Sequence, residues 1–241
     1  MSKIYEALKK AEQDRERTRV RPPSRPVAVL DNSARADLAE EEYHKLRASL
    51  VSIAVPSGLH TILVTAPRHG EGASTIAIGL ATALATERES RVLLVEANLR
   101  TPCFSAVLPL TSEAGLVDFA AGRAAPEALA MRLEELNLSV VAAGAVPSRP
   151  IDLEIVDALV SRLRPQFDFI VIDGPPVNRY ADSSVLATKA DGVILVVEAD
   201  STPVVEAEAA KRQLDKVGAR ILGVVLNRRR SYIPAFLESI L

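Results

Sequence analysis

The chain has 241 residues, 48% of them hydrophobic and 25% charged, which suits one soluble α/β domain with tails and a sizeable core. The formal net charge of −2 argues against a nucleic-acid footprint. Cys103 is the only cysteine, which excludes an internal disulfide and fits a reducing compartment. The opening Met1-Ser2-Lys3-Ile4-Tyr5-Glu6 lacks the apolar core of a signal peptide. No apolar run approaches ~20 residues, so any link to a membrane is expected to come through a partner.

Residues 1–20 read as an N-terminal helix with a narrow apolar stripe of Ile4, Leu8 and Ala11, either a solvated tail or a docking helix. Residues 21–33 form a Pro-rich linker, and residues 34–241 the main domain. A helix is expected from about Ala36 to Ile53, with Tyr43, Leu46, Leu50 and Ile53 on the packed face and Glu41, His44 and Arg47 on another. Strands read at Ile62–Thr65, Val92–Glu96, Leu138–Ala142, Phe169–Asp173, Val193–Val197 and Ile221–Leu226. They are short continuous apolar runs, the pattern of a parallel sheet covered on both faces. Helices are expected at Ser74–Glu87, as a broken pair between Leu116 and Leu133, and at Ile151–Arg164, Ser183–Lys189 and Pro203–Val217. Thr202 is a candidate cap for the last, and Gly218 its end. Ser231 to Leu241 reads as a short amphipathic tail helix. The fold class is α/β, a three-layer αβα sandwich around a mostly parallel sheet with an N-terminal helical extension.

The chemistry gathers at strand ends, where open α/β sheets bind ligands. Arg68-His69-Gly70-Glu71-Gly72-Ala73-Ser74-Thr75 lies between the first strand and its helix, the setting of a phosphate-binding loop. Its glycines let backbone N–H groups converge on an anion, and Ser74 is placed to hold Mg²⁺. Such a loop carries a lysine before the hydroxyl; here Ala73 stands there. Glu96 and Asn98 stand at the end of the second apolar run and Asp173 ends the fourth, and an acid in that place is where an NTPase holds Mg²⁺. His60 and His69 read as a strand-edge and a loop residue. No His/Cys cluster suggests zinc.

Several segments together resemble the bacterial tyrosine kinases of capsule and exopolysaccharide assembly, the CpsD/CapB-like BY-kinases. They are Ser2-Lys3-Ile4-Tyr5-Glu6-Ala7-Leu8, Glu42-Tyr43-His44-Lys45-Leu46-Arg47, Gly115-Leu116-Val117-Asp118-Phe119, Ala143-Gly144-Ala145-Val146-Pro147-Ser148-Arg149-Pro150, Asp173-Gly174-Pro175-Pro176, Asp182, Ala190-Asp191-Gly192-Val193 and Gly223-Val224-Val225-Leu226-Asn227. The resemblance implies a P-loop NTPase fold and ATP or ADP with Mg²⁺ in the loop. Asp173, Glu96 and Asn98 then take the acidic-motif positions, with Ser74, Asp173 and Glu96 the metal set and Asn227 the base contact. It also implies self-association through Glu41, His44 and Arg47, and a membrane polysaccharide co-polymerase as partner at the inner face of the membrane.

This sequence departs from that pattern. Ala73 replaces the loop lysine, Glu96 and Asn98 replace two aspartates, His44 replaces an arginine, and only Tyr232 lies in the tail. Removing one member of a desolvated charge pair costs roughly 2–5 kcal/mol, or ~30- to ~5,000-fold in affinity. The expectation is a catalytically impaired, weakly nucleotide-binding regulatory protein of polysaccharide synthesis. One alternative is an active tyrosine autokinase that uses Arg68, which stands where MinD/ParA ATPases place an extra lysine. Another is a MinD/ParA-like positioning ATPase.

Overall fold

The computed structural model describes residues 32–86, 90–145 and 152–229. The expected helix over 1–20 and the tail from Ser231, with Tyr5 and Tyr232, lie outside the described residues.

The first described element is α1, Asn32–Ser57, which begins two residues inside the expected linker. Then come β1 (Thr61–Thr65), α2 (Ala73–Ala85) and β2 (Val92–Glu96). Three short helices follow: α3 (Phe104–Val107), α4 (Leu116–Ala120) and α5 (Pro126–Leu129). The chain continues through β3 (Met131–Leu133), β4 (Leu138–Val141), α6 (Glu154–Leu163), β5 (Phe169–Asp173), α7 (Asp182–Lys189), β6 (Gly192–Glu198), α8 (Val204–Lys216) and β7 (Ile221–Asn227).

The strands form one sheet in the order β3-β4-β2-β5-β1-β6-β7, parallel except for β3. Alternation along the buried strands divides the core in two. Ile62, Val64, Leu94, Val171 and Ile194 face α1 and α2. Leu63, Leu93, Val95, Ile172 and Leu195 join α6, α7 and α8 on the other face. All five residues of β1 and β2 are buried, as continuous apolar runs require. Because β5 lies between β2 and β1, the carboxyl ends that carry Glu96, Asp173 and the glycine loop stand side by side.

Three local expectations are corrected. The segment from Leu116 to Leu133 ends in β3, antiparallel to β4, instead of continuing as helix. Ile53 is 38% exposed; one residue on, Ala54 takes the inward position with Leu50. Thr202 does not cap α8, whose first helical turn follows Pro203 without a side-chain cap. The Thr202 hydroxyl turns to Glu71 instead. Gly218 does end α8, at φ 72, with the N–H of Ala219 reaching back to the Leu214 carbonyl.

Tyr43 sets how α1 lies on α2. Its ring covers Gly79 so closely that a Cβ there would fall 2.2 Å from the ring, and its hydroxyl donates to the Thr75 carbonyl at 3.3 Å. Gly79→Ala should therefore destabilise the protein by about 1–2 kcal/mol despite alanine's better helix propensity. Tyr43→Ala in the same chain should remove that penalty. Urea unfolding of the two single variants and the double variant measures the coupling; additive losses would show that the two residues do not meet.

Candidate functional site

The loop between β1 and α2 takes its shape from two glycines in the left-handed region, Gly70 at φ 89 and Gly72 at φ 93. Gly72 precedes the first turn of α2, and its carbonyl accepts the Ile76 N–H at 3.0 Å. These glycines turn backbone amides and the N-terminus of α2 toward one concavity, a geometry suited to an anion. Ser74 and Thr75 stand in the first turn of α2, with Ser74 half-buried and Thr75 exposed.

Glu71 fastens this loop from below. It is 1% exposed, yet both carboxylate oxygens are used. One accepts the Arg68 N–H at 3.1 Å; the other accepts Arg68 Nε at 3.0 Å and the Thr202 hydroxyl at 2.6 Å. Thr202 accepts the Glu198 N–H at 2.9 Å, which ties the loop to the end of β6. Asn227 ties it to β7: its Nδ2 donates to the Glu71 carbonyl at 2.9 Å, and a Cβ at Gly72 would meet that Nδ2 at 2.2 Å. Asn227 Oδ1 accepts the next N–H, from Arg228, which takes a left-handed φ of 56. Both ends of the Asn227 amide are thus committed to the loop and its own turn.

Arg68 is committed as well. Besides Glu71 it donates to the Ser201 carbonyl at 3.0 Å. A groove of about 670 Å³ opens beside the loop here, lined by Arg68, His69, Glu71, Asn178, Glu198 and Glu206 among others. Ser74 and Asp173 do not line it.

Glu96 and Asp173 are register partners across β2 and β5, both buried at the sheet's carboxyl edge. Their surroundings differ. Glu96 accepts three backbone N–H groups: Cys103 at 2.5 Å and Phe104 at 2.8 Å on one oxygen, and Ala143 at 2.9 Å on the other. It braces the start of α3 and the loop after β4, an arrangement that does not fit the metal-ligand role expected of it. Asn98 turns to Thr101, with Nδ2 to its hydroxyl at 3.1 Å, and shapes the loop after β2. Asp173 has 0% exposure, and neither carboxylate oxygen has a hydrogen-bond partner. Burial pushes its carboxyl up to about 7; the nearby Ser74 hydroxyl pulls it down without closing a hydrogen bond, and the Glu96 charge pushes it up again. The Cys103 thiol lies against the same Ser74 hydroxyl, and burial raises its pKa.

Orphaned buried oxygens ask for a donor or a cation. Asp173 and Ser74 could hold a divalent ion, which when bound would supply Lewis-acid neutralisation of phosphate oxygens. Other expected positions are outlying. Asp191 sits at the opposite end of the sheet, where it accepts the His60 and Thr61 N–H groups. His60 Nδ1 pairs with the Asp168 carbonyl at 3.0 Å, and His69 is exposed. Asp182 holds Arg100, which stacks 5.1 Å from the Tyr180 ring centroid. On α1, Glu41 pairs with Lys45 and His44 with Glu40, while Arg47 is half-buried. Sequence reasoning missed Cys103, whose only signal was its place just after a strand-end loop. It also missed Thr202, which reads as a helix cap.

Comparison with known proteins agrees with this geometry. The family described as ParA, NUBPL iron-transfer P-loop NTPase, matches residues 59–238. The tyrosine-protein kinase CpsD of Streptococcus agalactiae is 30% identical over 215 residues, 87% of this chain and 93% of its own length. The chain belongs to the bacterial tyrosine-kinase family of P-loop proteins. Among solved structures of the family, the VpsO kinase domain matches with TM-score 0.73 and 30% identity over 84% of this chain and 100% of its own. The wider P-loop class appears in MinD of Pyrococcus horikoshii, solved with Mg-ADP, at TM-score 0.63 and 25% identity over 75% of this chain and 76% of its own.

A carboxyl raised from 3.8 to about 7 keeps its proton in the folded state across a window in which the unfolded chain has lost it. Asp173 therefore costs nothing below about pH 4, and its cost grows as pH rises to about 7, to a ceiling on the order of 4 kcal/mol. Asp173→Asn should raise the unfolding midpoint of the nucleotide- and metal-free protein at about pH 8 and leave it nearly unchanged at about pH 4. Denaturant titration at both pH values measures this; an equal shift at the two would contradict it.

Proposed function

We propose that this protein is a regulatory or assembly subunit of capsular or exopolysaccharide synthesis in the cytoplasm, a kinase-fold chain impaired in phosphoryl transfer and weak in nucleotide binding. The observation that carries the reading is the combination of Ala73 with a committed Arg68. The loop offers shaped amides and a hydroxyl, but its lysine position is a methyl group. The arginine that could substitute is held by Glu71 and Ser201. Charge neutralisation of the transferring phosphoryl group is where such enzymes gain most of their rate, so its loss weighs more on turnover than on binding.

Supporting this, Glu96 spends its carboxylate on three amides, and Asn98 brings no charge where an acid would stand. The alternative of an active autokinase served by Arg68 would require the Glu71 pairing to break. The partner proposed from the family is a membrane polysaccharide co-polymerase. No helix among the described residues is long and apolar enough to cross a membrane, in keeping with attachment through such a partner. Self-association is proposed through the face of α1 that carries Glu41, His44 and Arg47.

With ATP and Mg²⁺ the purified chain should not incorporate phosphate, and Ala73→Lys should tighten ATP binding by roughly 30-fold or more in calorimetry. Labelled Tyr232, or an affinity indifferent to the lysine, would reject the reading. Arg47→Glu should lower the mass seen by light scattering; an unchanged mass would remove the self-association surface.

A further inference from the structure

β7 ends the sheet and, among the described residues, pairs only with β6. None of its seven residues is buried, whereas every residue of β1, β2 and β4 is. On one face Ile221, Val224 and Leu226 join the core beneath α8. On the other, Leu222 and Val225 lie at the rim of the core that α1 and α2 cover. Here the end of α1 comes to the start of the strand, where the Ser57 hydroxyl accepts from Arg220 at 3.3 Å. An apolar edge strand left half-open along its whole length calls for a cover. At Arg228, the first residue past β7, the backbone takes φ 56 and the Asn227 side chain accepts its N–H, so the chain leaves the strand direction at once. Residues 231–241 follow, where Ile233, Phe236, Leu237 and Ile240 recur at helical spacing with Ala235, Glu238 and Ser239 opposite them.

We propose that residues 231–241 fold back as a helix antiparallel to β7 and lay this apolar stripe over Leu222 and Val225 of the same molecule. The lengths agree. Helical rise carries Phe236 about 12 Å and Ile240 about 18 Å from Arg228, while the strand runs back about 10 Å to Val225 and about 20 Å to Leu222. Phe236 then meets Val225, and Ile240 meets Leu222. The outer side of the segment carries one acid and no base, unlike a helix that lies on an anionic lipid surface. A tether of a few residues supplies an effective concentration on the order of millimolar, which favours the same chain over a second copy. The docking reaches the phosphate loop, because Asn227, the last residue of β7, holds the Glu71 carbonyl and closes over Gly72. A cover that steadies β7 therefore steadies the loop, whether or not the loop supports catalysis.

The test is amide hydrogen exchange on the full chain in buffer free of nucleotide and lipid, repeated at high dilution and with vesicles of phosphatidylglycerol and phosphatidylcholine. Expected is exchange in residues 231–241 slowed by roughly tenfold or more against an unstructured peptide, the same at every protein concentration and unaltered by vesicles. Phe236→Glu should return residues 231–241 to the unstructured rate and speed exchange in β7 and in residues 70–72 by about threefold or more. Val225→Ala, Phe236→Ala and the double variant are milder truncations that keep the fold. In urea unfolding they should show a coupling of about fivefold or more in the unfolding constant. The proposal is overturned if residues 231–241 exchange at the unstructured rate in the unaltered chain, if the two truncations act independently, or if Phe236→Glu leaves β7 and the loop as they were. It is equally overturned if protection fades on dilution, which would mean a second copy, or arises only on vesicles, which would mean a lipid surface.

Discussion

Two carboxylates placed side by side in the interior, Glu96 and Asp173, impose the constraint around which the rest of the site is arranged. The strand order makes the placement unavoidable, since β5 lies between β2 and β1 and both acids terminate their strands. One acid is satisfied by three main-chain donors drawn from the start of α3 and the loop after β4. The other is left with a hydroxyl and a thiol for company. The same pair thus gives the fold a brace on one side and a reactive deficit on the other. The deficit is electrostatic, since both residues are buried and only Asp173 lacks donors.

The glycine loop is the complementary half. It presents donors where the acids present acceptors. Glu71, Thr202 and Asn227 hold it from the ends of β6 and β7, and they absorb Arg68 in doing so. In a family whose chemistry needs a mobile cation over the phosphates, a fixed arginine facing a buried glutamate is a structural member. Shape and charge have separate sources in this loop: the glycines and their fastening set the first, and Arg68, already paired with Glu71, supplies the second.

Much of this was legible in the sequence because it follows from local rules. The six continuous apolar runs became the six parallel strands, and the segment Ile62-Leu63-Val64 followed by glycines became strand, loop and helix. Asp173 announced itself as an acid that ends an apolar strand. What stayed hidden depended on contacts between distant residues. Three-residue β3, Met131-Arg132-Leu133, has no periodicity to read and exists because β4 offers it an edge. The donors to Glu96 come from residues 103, 104 and 143, so no spacing rule could show that its oxygens are taken. Thr202 sits where a cap belongs, beside Pro203, and only the folded chain brings Glu71 within reach of it. Ile53 and Ala54 were exchanged because a helical period fixes a face only to within one residue when the stripe is narrow.

The bolting of the loop across β6 and β7 also bears on how the chain tolerates change. Position 73 lies in the first turn of α2 and takes no part in the Arg68–Glu71–Thr202–Asn227 fastening. The fastening is thus independent of the side chain at position 73, and the fold of the loop and the charge it carries are set by different residues.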